Sequence, residues 1–108
     1  MKIFKERMGY SALPLTERTP NYGRVEMNAP VVYSAKLSHP ERYVANTANI
    51  FISDLGRLDA KFDPATGVVR ATGGKIPGNK LNRVIVTIRE KDSGRYALGS
   101  WAIITGKD

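Results

Sequence analysis

Asn82-Arg83-Val84-Ile85-Val86-Thr87-Ile88-Arg89, then Glu90-Lys91-Asp92-Ser93-Gly94, then the run Arg95 to Thr105, is the stretch that decides the fold class. The first run is rich in β-branched residues, which fit a pleated and half-buried surface. Asp92 and Ser93 ahead of Gly94 supply turn chemistry, and Gly94 can take the positive φ of a bulged hairpin turn. The stretch therefore reads as a β-hairpin. Alternation puts Val84, Val86 and Ile88 on one face, and Tyr96, Leu98, Ala102 and Ile104 are expected to form the matching face of the partner strand. Ala97, Gly99, Trp101 and Ile103 line that strand's other side. With apolar residues on both sides, the second strand is expected inside a sheet and not at its edge.

Working outward, Leu58 to Phe62 and Val68 to Thr72 flank Asp63-Pro64-Ala65-Thr66-Gly67, a second hairpin signal. The stretch Phe62 to Val69 resembles the hairpin found in many bacterial immunoglobulin-like modules; the likeness spans eight residues of turn chemistry and identifies no family. Arg24 to Met27 and Val31 to Leu37 read as two further strands, with Val31, Tyr33, Ala35 and Leu37 on one face. Residues 1–23, with Gly9, Pro14, Pro20 and Gly23, read as an extended N-terminal arm or loop, a segment that could reach a neighbouring subunit. Residues 24–108 read as one β domain.

The segment from Ser38 to Leu55 carries two patterns. Ser38 and Glu41 have capping-box spacing, and Val44, Ala48, Phe51, Ile52 and Leu55 recur at helical intervals. Asn46, Thr47, Asn49 and Ile50 are poor or middling helix formers, and Asn49-Ile50-Phe51-Ile52 reads as a buried strand. A strand over Tyr43 to Ile52 is the favoured reading. The fold class is accordingly all-β, a small barrel or sandwich of about six or seven mainly antiparallel strands, with α+β and one helix near 39–55 as the alternative. The expected core is Val31, Tyr33, Ile50, Ile52, Phe62, Val84, Val86, Ile88, Leu98, Trp101 and Ile103.

A chain of 108 residues can bury one core, hiding roughly two-thirds of its unfolded surface. The absence of cysteine excludes disulfides and thiolate metal sites and favours a cytoplasmic or virion-associated setting. No apolar run has bilayer-spanning length, so no membrane partner is expected, and the charged start Met1-Lys2-Ile3-Phe4-Lys5-Glu6-Arg7 does not read as a signal peptide.

The formal charge is +7. It is unevenly placed: residues 55–108 hold ten bases and five acids, residues 1–54 seven bases and five acids. Nothing acidic lies between Asp63 and Glu90, where Arg70, Lys75, Lys80, Arg83 and Arg89 all fall. Such an excess attracts phosphate backbones, acidic proteins or anionic lipid if it converges on one face. The Gly73-Gly74-Lys75-Ile76-Pro77-Gly78-Asn79-Lys80 stretch allows close backbone approach to an anion but lacks the ending of a Walker loop. Tyr10 and Tyr22, in the arm, are candidates for stacking on unpaired bases, whereas Tyr96 and Trp101 are expected to be buried.

Catalytic material is sparse. His39 stands beside Pro40 without a triad pattern, and Asp54, Asp59 and Asp63 match no Ca²⁺ loop. No cofactor, metal or enzymatic activity is expected. The leading functional expectation is a non-enzymatic nucleic-acid-binding module, favouring single-stranded DNA or RNA, that uses Arg70, Lys75, Lys80, Arg83 and Arg89 for phosphates and Tyr10 and Tyr22 for bases. The alternatives are a structural or assembly protein, such as a phage or viral virion component that oligomerises through its arm, and a small protein-binding inhibitor.

Overall fold

A computed structural model describes residues 10–20, 24–25, 31–73 and 81–105. They form ten strands: β1 (Tyr10–Ala12), β2 (Leu15–Thr19), β3 (Arg24–Val25), β4 (Val31–Leu37), β5 (Asn49–Ile52), β6 (Gly56–Asp59), β7 (Lys61–Asp63), β8 (Val68–Gly73), β9 (Leu81–Arg89) and β10 (Tyr96–Thr105). The fold is all-β. The described strands outnumber the expected six or seven because several are only two or three residues long.

A six-stranded sheet runs β1-β10-β9-β5-β6, with β3 sharing the β10 edge with β1. A four-stranded sheet runs β2-β4-β8-β7. All pairings are antiparallel except those of β1 and β3 with β10. The two sheets face each other as a sandwich, and the chain turns between them at both sides. Leu13 and Pro14 join β1, on one edge of the first sheet, to β2 on an edge of the second; Ala60 alone joins edge strand β6 to edge strand β7. Leu58 and Phe62 thus belong to different sheets, and the single strand expected over Leu58–Phe62 breaks at Ala60.

Alternation along each strand supplies the core. Ile50, Ile52, Val84, Val86, Ile88, Ala97, Trp101 and Ile103 are buried from the first sheet, and Val31, Tyr33, Ala35, Leu37, Phe62, Val69 and Ala71 from the second. The Trp101 indole Nε1–H donates to the Pro20 carbonyl at 2.8 Å, so the ring is buried with its polar atom satisfied.

Further sequence expectations need correction. First, residues 10–19 are not an extended arm or loop: β1 and β2 are members of the two sheets. Second, the face matching Val84, Val86 and Ile88 is Trp101, Gly99 and Ala97, their directly opposed partners. Opposed residues share a face, so Tyr96, Leu98, Ala102 and Ile104 point outward. Leu98 is 37% exposed and does not belong to the core. Third, Tyr96 is 40% exposed and not buried.

Fourth, the strand over Tyr43 to Ile52 is shorter. Tyr43 makes only an isolated bridge to Glu90, 3₁₀ turns occupy Pro40–Arg42 and Ala45–Thr47, and the strand begins at Asn49. No helix forms there, and His39, in the left-handed region at φ 56, precedes the first turn without a side-chain cap. Thr47 explains the interruption: its hydroxyl donates to the Val44 carbonyl at 2.7 Å and accepts the Arg89 amide at 3.0 Å. A side chain thereby occupies the β9 position that a longer β5 would have paired.

Tyr33 is fully buried, and its hydroxyl has no hydrogen-bond partner among the described residues. Burial pushes its pKa up to about 12. The unfolded chain gives up this proton near pH 10 while the folded chain holds it, so stability does not depend on this group below about pH 10 and falls as pH rises toward about 12. Tyr33→Phe removes an unmade hydrogen bond and should stabilise the fold by about 1 kcal/mol at neutral pH. The same variant should flatten the alkaline limb of urea-denaturation midpoints against pH. A destabilised variant with an unchanged alkaline limb would contradict the burial of this hydroxyl.

Candidate nucleic-acid interface

The outer face of the first sheet is built by the strand positions that alternate with the core. On β9 these are Leu81, Arg83, Ile85, Thr87 and Arg89; on β10, Tyr96, Leu98, Ser100, Ala102 and Ile104; on β5 and β6, Asn49, Phe51, Arg57 and Asp59. Register orders them into rows across the sheet. Arg89 stands opposite Tyr96, which is in turn in register with Tyr10 of β1. Arg57, Phe51, Ile85 and Ser100 form a row over four strands. Arg83 stands opposite Ala102, and Leu81 opposite Ile104.

The arginines on this face are held from below. The Ser53 hydroxyl accepts the Arg83 amide at 2.9 Å, and the Ser53 amide donates to the Arg83 carbonyl at 3.2 Å, which pins the backbone under the side chain. Arg83 Nη1 donates to the Ser100 hydroxyl at 3.2 Å, directing the guanidinium across the face. Just below it, buried Asn82 donates through Nδ2 to Asp54 at 3.1 Å and accepts the Asp54 amide at 3.0 Å, which fixes the β5–β6 turn. Arg89 reaches over the hairpin loop, where a Cβ on Gly94 would lie 3.9 Å from its Nη2.

Neither arginine has a carboxylate partner among the described residues. The ion pairs among the described residues are Lys36–Glu17, His39–Glu41 and Arg57–Asp59, all exposed and each worth little in water. Glu90, next in sequence to Arg89, directs its Oε1 to the hydroxyls of Ser11 at 3.2 Å and Ser93 at 2.6 Å instead. Arg95, at the other side of the hairpin turn, is exposed and also free of carboxylates among the described residues. The Tyr43 phenol, buried behind this end of the hairpin, has its pKa raised by burial and by the Glu90 carboxylate, against a lowering effect of Arg42.

The five-cation cluster expected from the sequence does not form as a unit. Arg83 and Arg89 share the outer face of the first sheet. Arg70 alternates with buried Val69 and Ala71 of β8 and therefore lies on the outer face of the second sheet, on the opposite side of the sandwich. Adjacency in sequence did not become adjacency in space because β8 and β9 belong to different sheets. Tyr10 sits in register with Tyr96 and Arg89. Lys75, Lys80 and Tyr22 lie outside the described residues. Tyr96, Phe51, Arg57 and Arg95 are not among the residues expected from the sequence; the alternation of Tyr96 with Leu98 is the available signal, and the register places that row outward.

The remaining polar groups among the described residues lie apart from one another. His39 is exposed and 3.8 Å from Glu41. Asp54 is engaged by Asn82, Asp59 by Arg57, and Asp63 by the Ala65 amide. Among the described residues no group of three or more His, Asp or Glu side chains is placed to hold a metal ion, and no helix is long and apolar enough to cross a membrane. No family model and no curated relative matches the chain, and the ground for a functional reading is the geometry of this sheet face.

Proposed function

We propose that the protein is a non-enzymatic nucleic-acid-binding module that takes single-stranded DNA or RNA on the outer face of the six-stranded sheet. One observation carries the reading: Arg83 and Arg89 stand on a single exposed sheet face without carboxylate partners among the described residues, with the open ring of Tyr96 beside one of them and apolar side chains between. The two arginines are six positions apart along the strand, about 20 Å. Phosphates engage the guanidinium groups, while unpaired bases cover Tyr96, Leu98 and Ile85. A duplex, whose outer surface is charged backbone, would leave that apolar centre uncovered; a single strand turns its bases onto it.

A protein partner is the second reading, favoured by the opposed pair Leu81 and Ile104, exposed at 72% and 48%. Such a partner would fit an assembly or inhibitory role. A second copy of the same chain fits this face poorly, since an isologous contact brings the arginine-bearing surface against itself.

Fluorescence anisotropy with a labelled homopolymeric oligonucleotide lacking terminal phosphates, repeated over a range of salt, tests the proposal. Log affinity should fall linearly with log salt. Arg83→Ala and Arg89→Ala should each reduce the slope by about 0.7, whereas Arg70→Ala, on the opposite face, should leave it unchanged. Equal effects of all three substitutions, or weak binding at low salt with no slope, would remove this face as the site.

A further inference from the structure

The outer face of the second sheet holds an arrangement that nucleic-acid binding on the first does not use. In the β7–β8 hairpin, Lys61 stands directly opposite Arg70. Opposed side chains of an antiparallel pair have Cβ atoms about 5 Å apart, and like charges placed there repel. Both side chains are exposed, and neither has an ion-pair partner among the described residues. The hairpin's own carboxylate, Asp63, is drawn into the turn, where Oδ1 accepts the Ala65 amide at 2.9 Å.

The two cations border a concave depression of about 470 Å³, whose other walls are Phe62, Asp63, Thr66 and Val68. That volume lies in the range of small-molecule sites, and apolar surface with a few convergent polar groups is the usual composition of one. Lys36, opposite Val68 on the neighbouring strand, adds a third base at its margin, although Glu17 at 4.0 Å takes part of that charge.

We infer that this depression binds a small phosphate monoester, with its dianionic head between Lys61 and Arg70 and its planar or apolar part against Val68. Two cations at one point match a doubly charged head group, the guanidinium supplying a planar fork and the ammonium a point charge. A track of singly charged diesters would need cations spread along it, as Arg83 and Arg89 are. The anion would also relieve the repulsion between the opposed bases. The inference stands apart from the nucleic-acid reading, because the two sites occupy opposite faces of the sandwich.

Amide chemical shifts of the full chain, followed during titration with phenyl phosphate and separately with inorganic phosphate, test it. Phenyl phosphate should move the amides of Lys61, Thr66, Val68 and Arg70 and leave those of Arg83, Arg89 and Tyr96 in place. Inorganic phosphate should move the same amides with about tenfold lower affinity, having no apolar part to bury. Lys61→Glu should abolish these shifts while raising Tm, since it replaces an opposed like charge with an opposite one. The inference fails if millimolar phenyl phosphate moves nothing, if the shifts spread over Arg83 and Arg89, or if they survive in Lys61→Glu. A Tm that does not rise in Lys61→Glu overturns it as well, by showing that no repulsion was there for an anion to relieve.

Discussion

Gly99→Ala is expected to destabilise the protein by about 3 kcal/mol, lowering Tm by about 12 °C or more for a domain of this size. Nothing about the substitution itself would suggest so large an effect, since alanine is well tolerated in strands and adds one methyl group. The cause is the corner between β1 and β2, which lies directly on this glycine. A Cβ at position 99 would sit 2.5 Å from the Leu13 carbonyl oxygen and 2.8 Å from Leu15 Cδ1. The side chain of Leu15 can yield, but the backbone of Leu13 cannot do so alone, because its amide donates to the Leu98 carbonyl at 3.1 Å and its side chain is buried. Relief requires the whole corner to lift. Thermal denaturation checks the magnitude, and hydrogen exchange checks the mechanism: Leu13 should lose protection ahead of β9 in the variant. A Tm within a degree or two of the parent would mean that the corner is not seated on β10.

Tyr96→Ala should weaken binding of a single-stranded oligonucleotide by about 1–3 kcal/mol, roughly 5- to 150-fold, the range for loss of one stacking platform. The ring is exposed, so the fold should be nearly unaffected and the loss should appear in affinity alone. Stacking involves no counterion release, so the salt slope of Tyr96→Ala should match that of the parent, in contrast to the arginine variants. Tyr96→Phe keeps the π-face and should retain most of the affinity. Anisotropy on the same oligonucleotide measures all of these. If Tyr96→Ala binds as tightly as the parent while Arg89→Ala does not, the ligand is held by its backbone only and the bases do not meet the sheet.

How far the sequence disclosed this architecture depended on whether a local signal had one reading or two. The β9–β10 hairpin was legible because β-branched residues, Gly94 and alternation all agree, and Gly94 does adopt a positive φ of 72°. The face of β10 was not legible. Both Leu98 and Trp101 are apolar, and the connection from Arg89 to Tyr96 sets which of them meets Val84 and Val86; that register is a property of the turn geometry and cannot be read from either strand. The same ambiguity hid Tyr96 from the candidate site. The segment 38–55 carried helical spacing together with poor helix formers, and the outcome turned on Thr47, whose hydroxyl replaces a strand partner at Arg89.

Charge was the least legible property. Five bases without an intervening acid look like one patch on paper. Residues 74–80 separate β8 from β9, however, and these two strands lie in different sheets, which sends Arg70 to one side of the molecule and Arg83 and Arg89 to the other. Sequence proximity predicts a shared surface only where the chain does not cross between layers. The opposed pair Lys61 and Arg70 became visible for the complementary reason: the turn at Gly67, with φ of 80°, brings together two cations that nine positions separate.

The dependence of β1 and β3 on β10 sets an order of assembly. Tyr10 meets Tyr96, and Arg24 meets Ile104, so each of these pairings closes a loop of most of the chain. Closure of that kind carries a large entropic cost until intervening strands have drawn the ends together, which makes such contacts late and slow. The antiparallel hairpins can form from neighbours first, and β1 and β3 must wait for β10. During that interval the flank of β10 is an open template for foreign strands. Docking of two short parallel strands, seated over one well-placed glycine, is therefore what closes the molecule's most exposed moment in folding.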